Sequence, residues 1–249
     1  MSELRSTFET RKKEIQDFIY FTKFLEFKEL SLNEDGISEF HTFFHPAGSE
    51  GGISLSFQDI INISKSNLAL MIYSIIEYTV ANSIDLIYEK IRSEQLSYSE
   101  INNSIREIWR KTILKSVADP NASLSTFLKQ NEKIINSIIT NQTIILHSRD
   151  TLPAGNLDGP KIKDTFYKHG IKWCCSHYRP DILSKFKSKR NELAHGSVSF
   201  IEALRDSTIS TIDNEAAVVI TFLEELLQLT ENYINYENYE ASGTCVGSL

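Results

Sequence analysis

The chain has 249 residues, of which 41% are hydrophobic and 24% charged, a globular composition that excludes wholesale disorder. Its length suits one large helical domain or two small lobes. The net charge of −7 argues against a broad, non-specific nucleic-acid binder, whose surface is basic; it leaves room for an enzyme that gathers a few Lys and Arg around one groove.

Helical periodicity dominates from the start. The first predicted helix runs from about Glu3 to Leu30, with Ile15, Phe18, Ile19 and Thr22 recurring every three to four residues, and Asn33-Glu-Asp-Gly36 reads as a turn. A long irregular loop is expected over about 32–57, where Pro46, Gly48, Gly51 and Gly52 concentrate; within it Ile53–Phe57 alternates and reads as a short strand or an extended arm. The second helix spans roughly Gln58 to Arg92, with a break placed near Ser64, and is apolar nearly all round, which makes it central to the fold. A third covers about Ser99–Ser116 and a fourth about Ser123–Ile139, with Ser123 as its N-cap.

Asn141–Asp150 is ambiguous because β-branched residues weaken its helical pattern. Leu152–Ile171 reads as a loop, then a short helix that stops at His169-Gly170, with Asn156 a candidate cap and Gly170 suited to a left-handed C-cap. A helix from Pro180 or Asp181 runs through Arg190 to His195 and ends at Gly196. The last starts near Thr211 or Asp213 and ends near Tyr239. Residues 1–240 read as a single helical domain and 241–249 as a flexible Gly/Ser-rich tail.

Cys174, Cys175 and Cys245 sit beside no CxxC or His pair at zinc spacing, so they read as reduced thiols of a cytoplasmic protein. No signal peptide is visible. The aromatic segment Phe18–Phe27 is interrupted by Lys23 and Glu26, and Leu68–Ile87 carries Glu77, Asn82 and Asp85, so neither reads as a membrane span.

The chemistry concentrates in RNELAHG, Arg190–Gly196. On a helix Asn191 and His195 share a face. Arg190 lies off it by about 140°, but its long side chain can reach forward. The negative end of the helix dipole favours imidazolium at His195, and a His that changes charge near neutral pH suits proton transfer. Arg190 keeps its charge and can grip phosphate oxygens with two hydrogen bonds, while Asn191 can orient either group. Lys185, Lys187 and Lys189 surround Arg190 and are candidate RNA-backbone contacts, against the plainer reading of a solvated helix face. His41 and His45 have i,i+4 spacing, but Pro46 argues against a helix that would let them share a metal. His147, His169 and His177 have no evident partners in sequence. Neither a cofactor nor a metal is expected.

RNELAHG resembles the signature of HEPN domains: Arg, a polar residue such as Asn, then His. Three further segments resemble one bacterial HEPN branch of defence and mobile-element loci, in the expected order: FETRKKEIQDFIYFTKFLEF as its opening helix, SNLALMIYSIIEYTVANSI as its central helix, and AGNLDGPKIKDTFYKHGI as the Gly-Asn segment before the Arg–His helix. The resemblance implies an all-α, compact helical bundle. It implies a ribonuclease that dimerises so that Arg190, Asn191 and His195 of two chains form one composite site, with Glu77 on an early helix as a residue that orients Arg190 or His195. An antitoxin or a defence-system partner protein is implied as well. A non-catalytic module that scaffolds a defence complex is the competing reading.

Overall fold

The computed structural model describes residues 2–35, 55–117, 123–153 and 155–241. Among these residues eight α-helices follow in chain order: α1 (Ser2–Asp35), α2 (Phe57–Ser93), α3 (Asn103–Leu114), α4 (Leu124–Ile139), α5 (Ser148–Thr151), α6 (Gly159–Lys168), α7 (Pro180–Ala194) and α8 (Ile209–Asn235). Among the described residues there is no strand; Ser97 with Thr143 and Ile101 with Glu240 form isolated bridges.

Several boundaries differ from the sequence expectation, each for a local reason. α1 continues to Asp35, through the residues read as a turn at 33–35. Phe57 belongs to α2 rather than to a strand or arm, because Ser56 and Asp59 cap the helix reciprocally: the Ser56 hydroxyl accepts from the Asp59 N–H at 3.1 Å, and the Asp59 carboxylate accepts from the Ser56 N–H at 2.9 Å. Leu55 and Ser56 form no strand; Ile53 and Ser54 lie outside the described residues, as do His41 and His45. α2 is unbroken at Ser64, whose hydroxyl donates to the Ile60 carbonyl (2.9 Å) within the helix. α3 starts at Asn103 because the Asn102 side chain caps it, accepting from the Ile105 N–H at 2.9 Å. Ser123 caps α4 as expected, but Asp158, not Asn156, caps α6. α8 begins earlier, behind a Thr208 hydroxyl that accepts from Thr211 N–H, and ends at Asn235 with Glu237 in a left-handed conformation. The end of the expected tail, 242–249, lies outside the described residues.

Two compact units divide the chain. The first comprises residues 1–7, 76–180 and 221–249, the second residues 8–75 and 181–220. In the first, the second half of α2 contributes Val80, Ile84, Ile87 and Ile91 to the core, and α8 contributes Leu223, Leu226 and Leu227. Trp173 packs against Phe166, Tyr178 and Phe222. The Asp85 carboxylate accepts from the N–H (2.8 Å) and hydroxyl (2.6 Å) of Ser148, which satisfies the start of α5. Arg5 forms an ion pair with Glu231.

In the second unit, Phe8, Ile15 and Ile19 of α1, Ile61, Leu68 and Ile72 of α2, and Leu183 and Phe186 of α7 are buried. The connection from α7 to α8 is pinned by α2. Lys65, only 3% exposed, donates to the carbonyls of Ser207 (3.0 Å) and Arg205 (3.4 Å), and the Ser66 hydroxyl donates to the Phe200 carbonyl (2.6 Å). A buried ammonium needs such acceptors. By length and composition alone α2 could cross a membrane, but half of its most apolar window is packed inside the protein.

Candidate functional site

The polar cluster is built at the C-terminal end of α7, in the second unit. Leu183, Phe186 and Leu193 bury one face of that helix and fix its rotation. Arg190 and Asn191 are then half-buried, and His195 stands in solvent. The helix stops in a Schellman motif: the Ser197 N–H reaches the Glu192 carbonyl at 3.0 Å, and the Gly196 N–H reaches that of Leu193 at 3.2 Å. Gly196 carries φ +66°, which an L side chain adopts only at a cost, and so the chain turns away immediately after His195.

Arg190 is held on two sides. Its Nη1 donates to Asn191 Oδ1 at 3.0 Å, and its guanidinium lies 5.4 Å from the centre of the Tyr73 ring. Tyr73 is itself only 1% exposed, a fixed platform on α2. The side chain therefore reaches forward as far as the Asn191 amide. Sequence reasoning missed Tyr73: it stands in a run whose apolar character signals core, and nothing in the spacing couples it to a residue 117 positions later. Its neighbour Ser74 accepts a hydrogen bond from Arg11 of α1 at 3.2 Å.

The lysines around Arg190 are engaged. Lys185 donates to both carboxylate oxygens of Glu215 at 2.7 Å, and Lys189 pairs with Glu192 at 2.8 Å. Lys187 is half-buried on the same helix. Glu77 lies on α2 one helical turn beyond Tyr73, half-buried.

Two of the histidines discounted in sequence, His169 and His177, have partners in the first unit. His169 is 2% exposed; its Nδ1 bonds the Thr165 carbonyl at 2.7 Å and its Nε2 meets the Tyr88 hydroxyl at 2.6 Å. Burial pushes its pKa down to about 4, against the weaker upward pull of the Thr165 carbonyl. His177 forms an exposed pair with Glu225, Nδ1 to Oε1 2.8 Å. Burial pushes the Cys175 thiol up to about 12, helped by Glu225 and Cys174, so it is a poor nucleophile. Among the described residues no three His, Cys, Asp or Glu side chains converge as a metal site would require. A cavity of about 590 Å³ in the first unit lies between α3 and α6 and is lined by none of the candidate residues.

The chain matches the family model described as HEPN_MAE_28990-like HEPN over residues 1–239. No curated protein and no solved structure matches it. A match that takes in the eight helices of the described residues and the RNELAHG segment shows the family: the chain belongs to the HEPN superfamily, as an all-α member of its MAE_28990-like branch.

Proposed function

We propose that the protein is a metal-independent endoribonuclease, an effector of a toxin–antitoxin or anti-phage system acting in the cytoplasm. The observation that carries this reading is Arg190, clamped by Asn191 and stacked on Tyr73 beside the helix end that presents His195 to solvent. Such a cluster suits a reaction in which the substrate supplies its own nucleophile. The ribose 2′-hydroxyl attacks the adjacent phosphorus, and the bond to the 5′-oxygen breaks. His195 moves the proton, Arg190 stabilises the charge that builds on the equatorial oxygens, and Asn191 holds Arg190 in place. The products are a 2′,3′-cyclic phosphate and a 5′-hydroxyl. DNA lacks the nucleophile and is spared. Two copies supply two such clusters to one composite site. Glu77 and Lys187 are assigned no step by the geometry; they remain candidates for orientation and for a phosphate contact.

A second reading, a non-catalytic module that binds RNA or a partner protein within a defence complex, is favoured by one observation. Lys185 and Lys189, which would contact the RNA backbone, are already matched by Glu215 and Glu192. Cleavage of total cellular RNA in EDTA by wild type, Arg190→Ala and His195→Ala separates the two. Cyclic-phosphate ends produced by wild type alone establish the enzyme; a folded wild type that binds RNA without cutting it establishes the module.

A further inference from the structure

α1 buries aliphatic side chains and leaves rings in water. Leu4, Ile15 and Ile19 are buried, whereas every exposed large apolar side chain of the helix, among the described residues, is aromatic: Tyr20 is 76% exposed, Phe21 46%, Phe24 47% and Phe27 64%. At 100° and 1.5 Å per residue, Tyr20, Phe24 and Phe27 form one row within about 60° of arc, spaced by about 6 Å and about 4.5 Å along the axis, with Phe21 on its flank. An isolated exposed ring needs no explanation, but four rings within two turns of one helix mark a binding surface.

We propose that this row is a stacking platform for the bases of single-stranded RNA, an RNA-binding site apart from the Arg190–Asn191–His195 cluster. The inference rests on RNA being what the protein binds, whether or not the protein cuts it. Three observations select that occupant over an apolar partner. The first is side-chain type. On α4, five of the six exposed apolar side chains are aliphatic and can only bury area. Those of α1 are rings without exception, and a ring offers a π-face on which any base stacks. The second is charge. Residues 11–28 carry five basic side chains against three acidic ones, a local excess of positive charge in a chain of net charge −7. Lys13, seven residues before Tyr20 and so on the same face, is exposed and pairs with no carboxylate among the described residues. The Lys28 ammonium lies 5.6 Å from the centre of the Phe24 ring. A base that takes this ring face leaves the ammonium beside the nucleic-acid backbone, where a phosphate replaces the ring as its partner. The third is spacing. Bases in a duplex follow one another at about 3.4 Å and hide their faces in the stack. Rings set farther apart than that fit bases that are splayed out, as a single strand presents them.

Fluorescence anisotropy of the full chain with a labelled oligodeoxyuridylate of about 12 nucleotides, a length within the span of such sites, tests the proposal. The deoxy sugar keeps the probe intact even if the protein cuts RNA. Wild type is expected to bind it roughly tenfold more tightly than a duplex of equal length. Phe24→Leu with Phe27→Leu keeps apolar side chains but removes two π-faces, and weakens binding about 100-fold, roughly tenfold per ring. Phe24→Tyr with Phe27→Tyr keeps the faces and binds as wild type does. Because both positions are exposed, circular dichroism is expected to be unchanged in either pair. A wild type that does not bind the single strand overturns the proposal. So does a leucine pair that binds like wild type, the result expected of a face that docks an apolar partner. Cleavage of total RNA keeps this test apart from the ribonuclease reading. A wild type that binds through its rings but leaves RNA intact keeps the platform and removes the ribonuclease. One that cuts RNA while its leucine pair binds and cuts equally well keeps the ribonuclease and removes the platform.

Discussion

Two helices in this protein end in the same dipeptide. α6 closes at His169-Gly170 and α7 is followed by His195-Gly196, both through a Schellman motif with the glycine left-handed, φ +78° and +66°. From there they diverge. His169 is enclosed by Thr165 and Tyr88; its own carbonyl accepts from the Tyr233 hydroxyl at 2.7 Å, and Tyr233 in turn accepts from Asn102 at 2.8 Å. His195 is exposed at the end of its helix, beside the Arg190–Asn191 pair. The local sequence dictates the turn, and the surroundings decide whether the imidazole is a buried structural strut or an exposed ring.

The largest expected effect is a clean exchange of phenotypes between the two histidines. His169→Ala removes two hydrogen bonds and opens a void in a packed interior, which costs about 3–4 kcal/mol of stability. His195→Ala leaves stability within about 0.5 kcal/mol but lowers RNA cleavage by roughly 10²–10⁴-fold, the usual share of a proton-transfer group. Denaturant unfolding measured beside cleavage checks both. A His195→Ala variant that cuts as well as wild type would remove the histidine from the proposed chemistry.

Acid sharpens the same contrast through His169. Above pH 6.5 the ring is neutral in both folded and unfolded chains and contributes no pH dependence. Between 6.5 and about 4 the unfolded chain takes up a proton that the buried ring refuses, so stability falls as pH falls, by about 1.4 kcal/mol per unit and about 3 kcal/mol in all. Below about 4 the loss is complete. His169→Gln lacks this portion of the acid sensitivity, and unfolding curves at pH 7, 6, 5 and 4 measure the difference. Identical curves for the variant and wild type would refute the assignment.

A smaller effect is expected at the platform under Arg190. Tyr73→Leu keeps an apolar core residue but removes the ring face, worth about 1–2 kcal/mol to a partly desolvated cation. Cleavage should fall by about tenfold, whereas Ser74→Ala on the adjacent, outward-facing position should leave it unchanged.

These differences show what can be read from the chain and what cannot. Periodicity finds α2, α4 and α7, and the glycines at 170 and 196 announce the two helix ends, because each signal is confined to one or two turns. The same holds for the Arg190–Asn191–His195 cluster, whose members fall within six residues, and the family match agrees with the resemblance seen in the sequence. The errors sit where a side chain supplied the boundary: the reciprocal cap of Ser56 and Asp59 on α2, and Asn102 on α3. Partners distant in sequence stay invisible. Tyr73 under Arg190, Lys65 on the carbonyls of Arg205 and Ser207, and Tyr88 on His169 are each assembled by packing. The outward stripe of α4 is the converse case: its amphipathic pattern is plain in the sequence, but only the fold reveals which side is left in water.

The glycines themselves give the smallest and most diagnostic comparison. Both positions carry positive φ, so alanine costs about 1 kcal/mol at either from backbone strain alone. At Gly170 a new Cβ would also come within 3.0 Å of the Ser104 hydroxyl and 3.3 Å of its Cβ, which raises the expected loss to about 2 kcal/mol. At Gly196 nothing lies within 4 Å, so strain is the whole effect. Its consequence for function is nevertheless larger, because relief of that strain frays the last turn of α7, in which the His195 N–H bonds the Asn191 carbonyl at 3.0 Å. Gly196→Ala should therefore lose several-fold in cleavage for about 1 kcal/mol of stability, while Gly196→Asn, which tolerates the left-handed conformation, should recover most of both. If Gly196→Ala cuts RNA at the wild-type rate, a rigid helix end is not what positions His195.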